Sequence, residues 1–481
     1  MKNFSLLTIL LFICPVMMMG GEPPRHHVII DTDGSPDDLR ALNMVLSSPN
    51  TEVLAITSAD GVLEPEEGFM KIQALLNTLG HQGIITSQGI ISRNEPSPLR
   101  SIARAVPWGE EPISYSEPME VKELLVKVIE QEEAPVEVIS LGPLTNIANA
   151  VLMKPSVKSQ ISRIIWFDQC RSDIKWSNYG MDCLSADYLL GTRIPVYRII
   201  SDKGLPLFNE SFLEDIGNIP NPYAQNIYRS HSHDSLYHLI EKKELRIWND
   251  LASLYLYYPE MFVRDQSFPD SAGHVMRVAK GDGVRDRILA HLNSQKNLGN
   301  AIFKHFPADS TLYRPDVGRL ADKLIPRFGL REWRSVTLTA ELQGHLDITS
   351  VIGAKMGIRI LDYFHTYPGQ FDITSYCGLR PPLSSMNRGI QVACNATSGS
   401  GRFQIMDDNA HPRVEVRFKQ RKIEVTLKDE YFEQLRDELK KIRTQHQYGT
   451  PSYWQVLREK SLQYWRIWNR NEIFRITEQG K

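Results

Sequence analysis

The stretch His27-Val28-Ile29-Ile30-Asp31-Thr32-Asp33-Gly34-Ser35-Pro36-Asp37-Asp38-Leu39 constrains the fold more than any other. A short β-branched apolar run reads as a strand buried on both faces, as in parallel sheets. It stops at Gly34-Ser35-Pro36, a tight turn. Asp37 and Asp38 then open a helix, where carboxylates suit the positive end of the dipole. Four aspartates therefore gather at the C-terminal end of a strand, where open α/β sheets bind ligands. At close range each like-charged pair costs roughly 4 kcal/mol at an effective dielectric of 20. Some of these carboxyls must be protonated, or a cation must sit among them. All-oxygen donors favour a hard cation, Ca²⁺ or Mg²⁺. An acidic helix cap in solvent would be the bland alternative, but a cap needs one or two acids and not four.

From residue 26 to about 260 apolar strands alternate with helical patterns. Strands are expected at 28–31, 53–57, 83–86, 136–141, 161–167 and 195–200, with helices at 67–79, 121–130, 144–153 and 185–190. The alternation implies right-handed crossovers and a mostly parallel sheet covered by helices on both faces. At 42% apolar residues in 481, the chain can bury large cores. With a net charge of −2, it carries no basic excess of the kind that nucleic acid selects. Lys2 followed by an apolar run over residues 4–19 and then Gly20-Gly21 reads as a secretory signal at 1–21. The expected location is the periplasm or the outside, with no membrane attachment after cleavage. Beyond the signal, Cys170, Cys183, Cys377 and Cys394 show no zinc spacing and read as unpaired buried thiols.

Asp31-Thr32-Asp33-Gly34-Ser35-Pro36-Asp37-Asp38 resembles the N-terminal signature of the inosine–uridine-preferring nucleoside hydrolases, D-x-D-P-G-x-D-D, with the proline displaced by one place. Gly142-Pro143-Leu144-Thr145-Asn146 resembles a second segment of that family. Trp176-Ser177-Asn178 through Asp182, and Asn249-Asp250, fall where two more segments are expected. The resemblance covers roughly residues 26–320. It implies a nucleoside hydrolase-like domain over 25–320 that binds a small-molecule nucleoside or riboside, with homo-oligomerisation as a further expectation. It implies a Ca²⁺ shell of Asp33, Asp38, the Thr145 carbonyl and Asp250, with Asp33 as the base. Asp37, Asn178, Asp182, Trp176 and Asn249 would contact substrate, and Asp31 would orient the turn.

Departures stand beside the matches. Trp176 replaces a glutamate that contacts the 5′-hydroxyl, Asn249 replaces a histidine, and Thr57-Ser58-Ala59-Asp60-Gly61 lacks a Gly-Asn pair of that family. His231, His233 or His238 could supply the missing acid, although a satisfied surface histidine is the plainer reading. The implied function is an exported hydrolase of N-glycosidic bonds with a changed substrate. A non-catalytic sugar- or nucleoside-binding protein on the same fold is the alternative.

From about residue 336 the pattern changes. Gln343-Gly344-His345-Leu346-Asp347, and Gly389 to Thr397 with Gly399-Ser400-Gly401, resemble the subunit-E-like domain of formylmethanofuran dehydrogenase. The expected α+β domain spans 336–448, followed by a helical tail at 449–481. Gln343, Asp347, Ser385 and Ala396 replace metal ligands of that family and leave His345 alone, so no structural zinc is expected.

Overall fold

The computed structural model describes residues 26–92, 96–112, 118–168, 176–201, 204–293, 302–303 and 306–479. The expected signal at 1–21 and Cys170 lie outside them. The first sheet contains β1 (His26–Thr32), β2 (Thr51–Ser58), β3 (Ile85–Gln88), β4 (Val136–Ser140), β5 (Ile161–Phe167), β6 (Val196–Ile200), β7 (Phe262–Arg264) and β8 (His274–Val278). Their order is β3-β2-β1-β4-β5-β6-β8-β7, parallel throughout except for the edge strand β7. The chain starts in the middle, runs outward to β3, and returns to place β4 on the other side of β1. The loops after β1 and β4 therefore leave in opposite directions, and a crevice opens between them.

Helix Pro36–Ser47 follows β1 and is buried along its whole length. Pro36 at its first turn has no N–H to leave unpaired, and Ser35 and Asp38 form a reciprocal capping box. Helices Pro222–His231 and Asp250–Tyr257 cover it. That triple-helix layer and the strands share one apolar core containing Val28, Ile30, Leu42, Ile227 and Leu254. The opposite face of the sheet is closed by helices Val121–Gln131 and Thr145–Met153.

The second sheet has the order β10-β9-β11-β12-β13, made of β9 (Asp372–Ser375), β10 (Phe403–Ile405), β11 (Arg413–Phe418), β12 (Arg421–Leu427) and β13 (Phe474–Glu478). Strands β11 and β12 form a hairpin that turns through Lys419, which takes the left-handed conformation (φ 52°). Helix Ile348–Phe364 lies so close to Ser385–Cys394 that a Cβ on Gly353 would stand 2.2 Å from the Met386 carbonyl. Residues 449–481 are not a separate helical tail. After helix Pro451–Ile467 the chain re-enters the sheet as β13, paired with β12 from Ile423↔Glu478 to Leu427↔Phe474. The domain also starts earlier than 336: helices Pro315–Phe328 and Leu330–Gln343 pack with Val351, Leu462 and Trp465. Trp333 stacks on Trp465 at 4.9 Å, and such a contact holds the two ends of the domain together.

The hairpin tip docks on the first domain. Lys419 Nζ lies 2.6 Å from Glu52 and 2.8 Å from Glu132, and Arg359 donates to the Gly80 carbonyl at 2.7 Å. Among the described residues no helix is long and apolar enough to cross a membrane.

Candidate active site

Asp33 is the first residue after β1 and is 2% exposed. Two glycines press on it. A Cβ on Gly61 would stand 2.3 Å from Asp33 Oδ2, and one on Gly142 would stand 2.8 Å from its Cβ, so only glycine fits at either place. Asp33 Oδ1 accepts from the Ser35 N–H (3.3 Å) and Oδ2 from that of Val62 (3.2 Å). Burial, followed by the charge of Asp37, pushes its carboxyl up to about 7.

Asp38 closes the turn on itself. Its Oδ2 accepts from Thr32 Oγ1 (2.6 Å) and the Gly34 N–H (3.1 Å). Its Oδ1 accepts from Asn249 Nδ2. Burial, then Asp33 and Asp37, raise its pKa well above the ordinary carboxylate value. Asp37 Oδ2 accepts from the Asn249 N–H at 3.0 Å. Ser35 Oγ stands 2.7 Å from Asp37 Oδ1 and 2.8 Å from Asp38 Oδ1. A hydroxyl has one proton to give, so one of these carboxyls carries a proton when both contacts form. Close packing of acids is relieved here by protonation as well as by hydrogen bonds.

A cavity of about 210 Å³ opens over this turn, bounded by Asp33, Asp37, Trp176, Asn178 and Asn249 among others. Five of the residues expected at the site thus share one cleft. Asn178 spends both Nδ2 protons on the carbonyls that end β4 and β5, Leu141 and Phe167 (2.8 Å each). Its Oδ1 remains as an acceptor.

Other expected residues make contacts of their own. Thr145 Oγ1 donates to Asp182 Oδ2 (2.5 Å), and Asp182 Oδ1 accepts from the Ser185 N–H (3.0 Å). Asp182 is thus the cap of helix Cys183–Leu190 and does not line the cleft. Asp31 does not orient the turn. It ties β1 to β2 through Thr57 Oγ1 (2.5 Å) and to helix Thr145–Met153 through Asn146 Nδ2 (2.9 Å), and burial raises it to about 7. His231 is not a surface histidine. It is fully buried, its Nδ1–H donates to the Ile227 carbonyl, and its Nε2 accepts from Arg40.

Arg40 escaped the sequence reading. It is 1% exposed, and its Nε and Nη2 donate to the two oxygens of Asp250 at 2.7 and 2.8 Å. This is the bidentate fork–fork pairing of guanidinium with carboxylate. Asp168, at the end of β5, was also missed. It is buried at the cleft wall and accepts from Arg198 at 2.6 Å. A carboxylate just past a parallel strand end is itself a signal that could have found it.

The donor set does not fit the expected Ca²⁺ shell. Asp33 and Asp38 stand within one turn, but Asp250 has both oxygens committed to Arg40. Among the described residues no group of three or more His, Cys, Asp or Glu is arranged to hold a metal ion.

Residues 28–167 match the family described as inosine-uridine preferring nucleoside hydrolase, and residues 342–475 match FmdE, of the molybdenum formylmethanofuran dehydrogenase operon. The chain joins a nucleoside hydrolase-like domain to an FmdE-like one. The pyrimidine-specific ribonucleoside hydrolase RihA of Shewanella baltica (strain OS185) is 27% identical over 232 residues, 44% of this chain and 71% of that protein. RihA of Escherichia coli O1:K1 / APEC is 28% identical over 183 residues, 35% of this chain and 58% of its own length. The chain thus spans between just over half and about seven tenths of these relatives. The crystal structure of an inosine-uridine preferring nucleoside hydrolase from Bacillus anthracis aligns with 56% of this chain and 99% of its own, at 16% identity and a TM-score of 0.46.

In the FmdE-like domain Gln343, His345, Asp347 and Ser350 form a hydrogen-bonded knot. Gln343 Nε2 donates to the His345 carbonyl (2.7 Å), Asp347 Oδ2 (3.2 Å) and Ser350 Oγ (3.0 Å), while His345 Nε2 lies 3.3 Å from Asp347. Asp347 also caps helix Ile348–Phe364. Cys377 and Cys394 are buried free thiols, as expected, whereas Cys183 is exposed because it lies on the outer face of its short helix.

Proposed function

We propose that the cleft at the ends of β1, β4 and β5 binds a ribosyl compound and hydrolyses its N-glycosidic bond. One observation carries this reading: a carboxyl raised to about 7, Asp33, faces a cleft whose other polar walls, Asp37, Asn178 and Asn249, suit sugar hydroxyls. The similarity to ribonucleoside hydrolases supports it.

The chemistry follows from these groups. Asp37 and the Asn178 Oδ1 accept from the sugar diol. Asp33 takes a proton from a water whose oxygen attacks C1′. The C1′–N bond breaks, its electron pair leaves with the base, and the base takes a proton from solvent. Carboxylates around the ring stabilise the positive charge that builds on the sugar as the bond opens. Trp176 presents an indole to the cleft and so favours a riboside altered at the 5′ position. The apolar run at residues 4–19 supports export, to the periplasm or beyond.

The test is release of base from a panel of purine, pyrimidine and 5′-modified ribosides, wild type beside Asp33→Asn. Loss of release in the variant with its fold intact is expected. Riboside binding without release in the wild type would support the second reading, a nucleoside- or sugar-binding protein. The commitment of Asp250 to Arg40 is the observation that favours it.

A further inference from the structure

We propose that Arg40 is the resident cation of this site, and that Arg40 and Asn249 together do by hydrogen bonding what a bridging divalent ion would otherwise do. A bridging ion would join the turn after β1 to the start of helix Asp250–Tyr257 by pulling carboxylates from both onto one positive charge. In this chain each carboxylate already has its donor. Asp38, on the turn side, accepts from Asn249 Nδ2, and Asp250, on the helix side, is gripped by the Arg40 fork at 2.7 and 2.8 Å. The Asn249 N–H adds a third tie, to Asp37 Oδ2 at 3.0 Å. The two elements are 210 residues apart in sequence, and these bonds close them without an ion.

The surroundings of Arg40 are built to keep it there. Nη1 donates to His231 Nε2 at 3.0 Å, and Nη2 donates to the Arg246 carbonyl at 2.8 Å as well as to Asp250. The guanidinium carbon lies 4.4 Å over the Phe208 ring. Four of five N–H groups are used, one face is covered by an aromatic ring, and the side chain is closed from water. His231 takes part as a neutral acceptor because its Nδ1 proton is spent on Ile227. A guanidinium is planar, permanently charged and weakly hydrated, so a buried carboxylate is its natural partner. Asp250 is thereby a partner of Arg40 and not a metal ligand.

The experiment is calcium titration of the full chain by calorimetry and by thermal unfolding, in EDTA and in added CaCl₂. Wild type, Asp250→Asn and Arg40→Leu are compared. In wild type, any calcium binding is expected to be weaker than about 1 mM, the loose end of protein calcium sites, with no shift in unfolding temperature. Any residual binding is expected to be unchanged in Asp250→Asn. Arg40→Leu frees Asp250, and its unfolding temperature is expected to rise on adding calcium while its affinity tightens at least tenfold. Arg40→Lys, which keeps a cation but not the fork, is the companion if Arg40→Leu does not fold. It should gain calcium affinity only weakly. Tight stoichiometric calcium in wild type that disappears in Asp250→Asn would overturn the proposal, as would an Arg40→Leu variant that folds yet responds to calcium no more than wild type does.

Discussion

The two domains of this chain hold their buried polar clusters in opposite ways. In the first, several carboxyls gather at a cleft and the neighbouring Asp250 is paired with a buried guanidinium. In the second, Gln343, His345, Asp347 and Ser350 are tied into a hydrogen-bonded knot, with His345 paired to Asp347 at 3.3 Å. The first keeps charge, burial and a cavity, and therefore keeps the means for chemistry. In the second, Asp347 is spent as a helix cap. A count of acidic residues would rank the two sites by inventory. The partners of each residue rank them by what remains free to react.

The largest expected effect that would break this contrast is on catalysis. Replacing Asp33 by Asn should lower base release by about 10²–10⁴, the usual worth of a general base, with little change in riboside affinity measured by calorimetry. The equivalent change in the second domain, His345→Ala, should leave base release unchanged.

Next comes the charge left behind. In metal-free buffer Arg40→Leu should cost about 3–5 kcal/mol in chemical denaturation, because Asp250 remains buried without its partner. Gln343→Ala should cost about 1 kcal/mol, the worth of ordinary hydrogen bonds.

Two pH effects sharpen the comparison. Asp33 works as a base only when ionised, so base release should rise as pH climbs through about 7. Asp31 moves in the same range but acts on stability. Burial raises its folded pKa to about 7 from 3.8, so the native state holds the extra proton. Its contribution is complete below about 4 and is lost as pH rises through 7. Asp31→Asn should therefore flatten the fall in unfolding temperature between those limits.

The smallest effect concerns the contact between the domains. Burial opposes ionisation of Glu132, but hydrogen bonds from His27 and Lys419 outweigh it and bring its pKa down to about 2. A depressed carboxyl gives stability above its unfolded pKa of 4.5 and loses it as pH falls toward 2. Glu132→Gln should remove that acid-labile share, worth no more than about 1 kcal/mol since Lys419 is 41% exposed. Interdomain protection in hydrogen exchange would show it.

How much of this was legible depended on the range of the interaction. Strands β1 to β6 announce themselves because β-branched runs flanked by turns are local signals, and β5 falls on its expected residues. Strands β7 and β8 carry Arg, His and Met at a half-exposed edge and give no such run. Strand β13 follows a helix and is a strand only because β12 pairs with it. The cleft residues were legible where a motif put them beside a strand end, as with Asp33 and Asn178. Arg40 was not, since one arginine in a helix reads as a solvent-facing side chain until Asp250, His231 and Phe208 are seen around it. Asp182 was misplaced for the converse reason: a carboxylate three residues before a helix serine caps that helix as readily as it binds a sugar.

The most direct test of hydrolysis at this cleft is a turnover in ¹⁸O-labelled water, with the released sugar analysed by mass spectrometry. Wild type should release free base and ribose, or the corresponding 5′-altered sugar, carrying one labelled oxygen at C1, and Asp33→Asn should release neither. Recovery of intact riboside from wild type that demonstrably binds it would contradict the account.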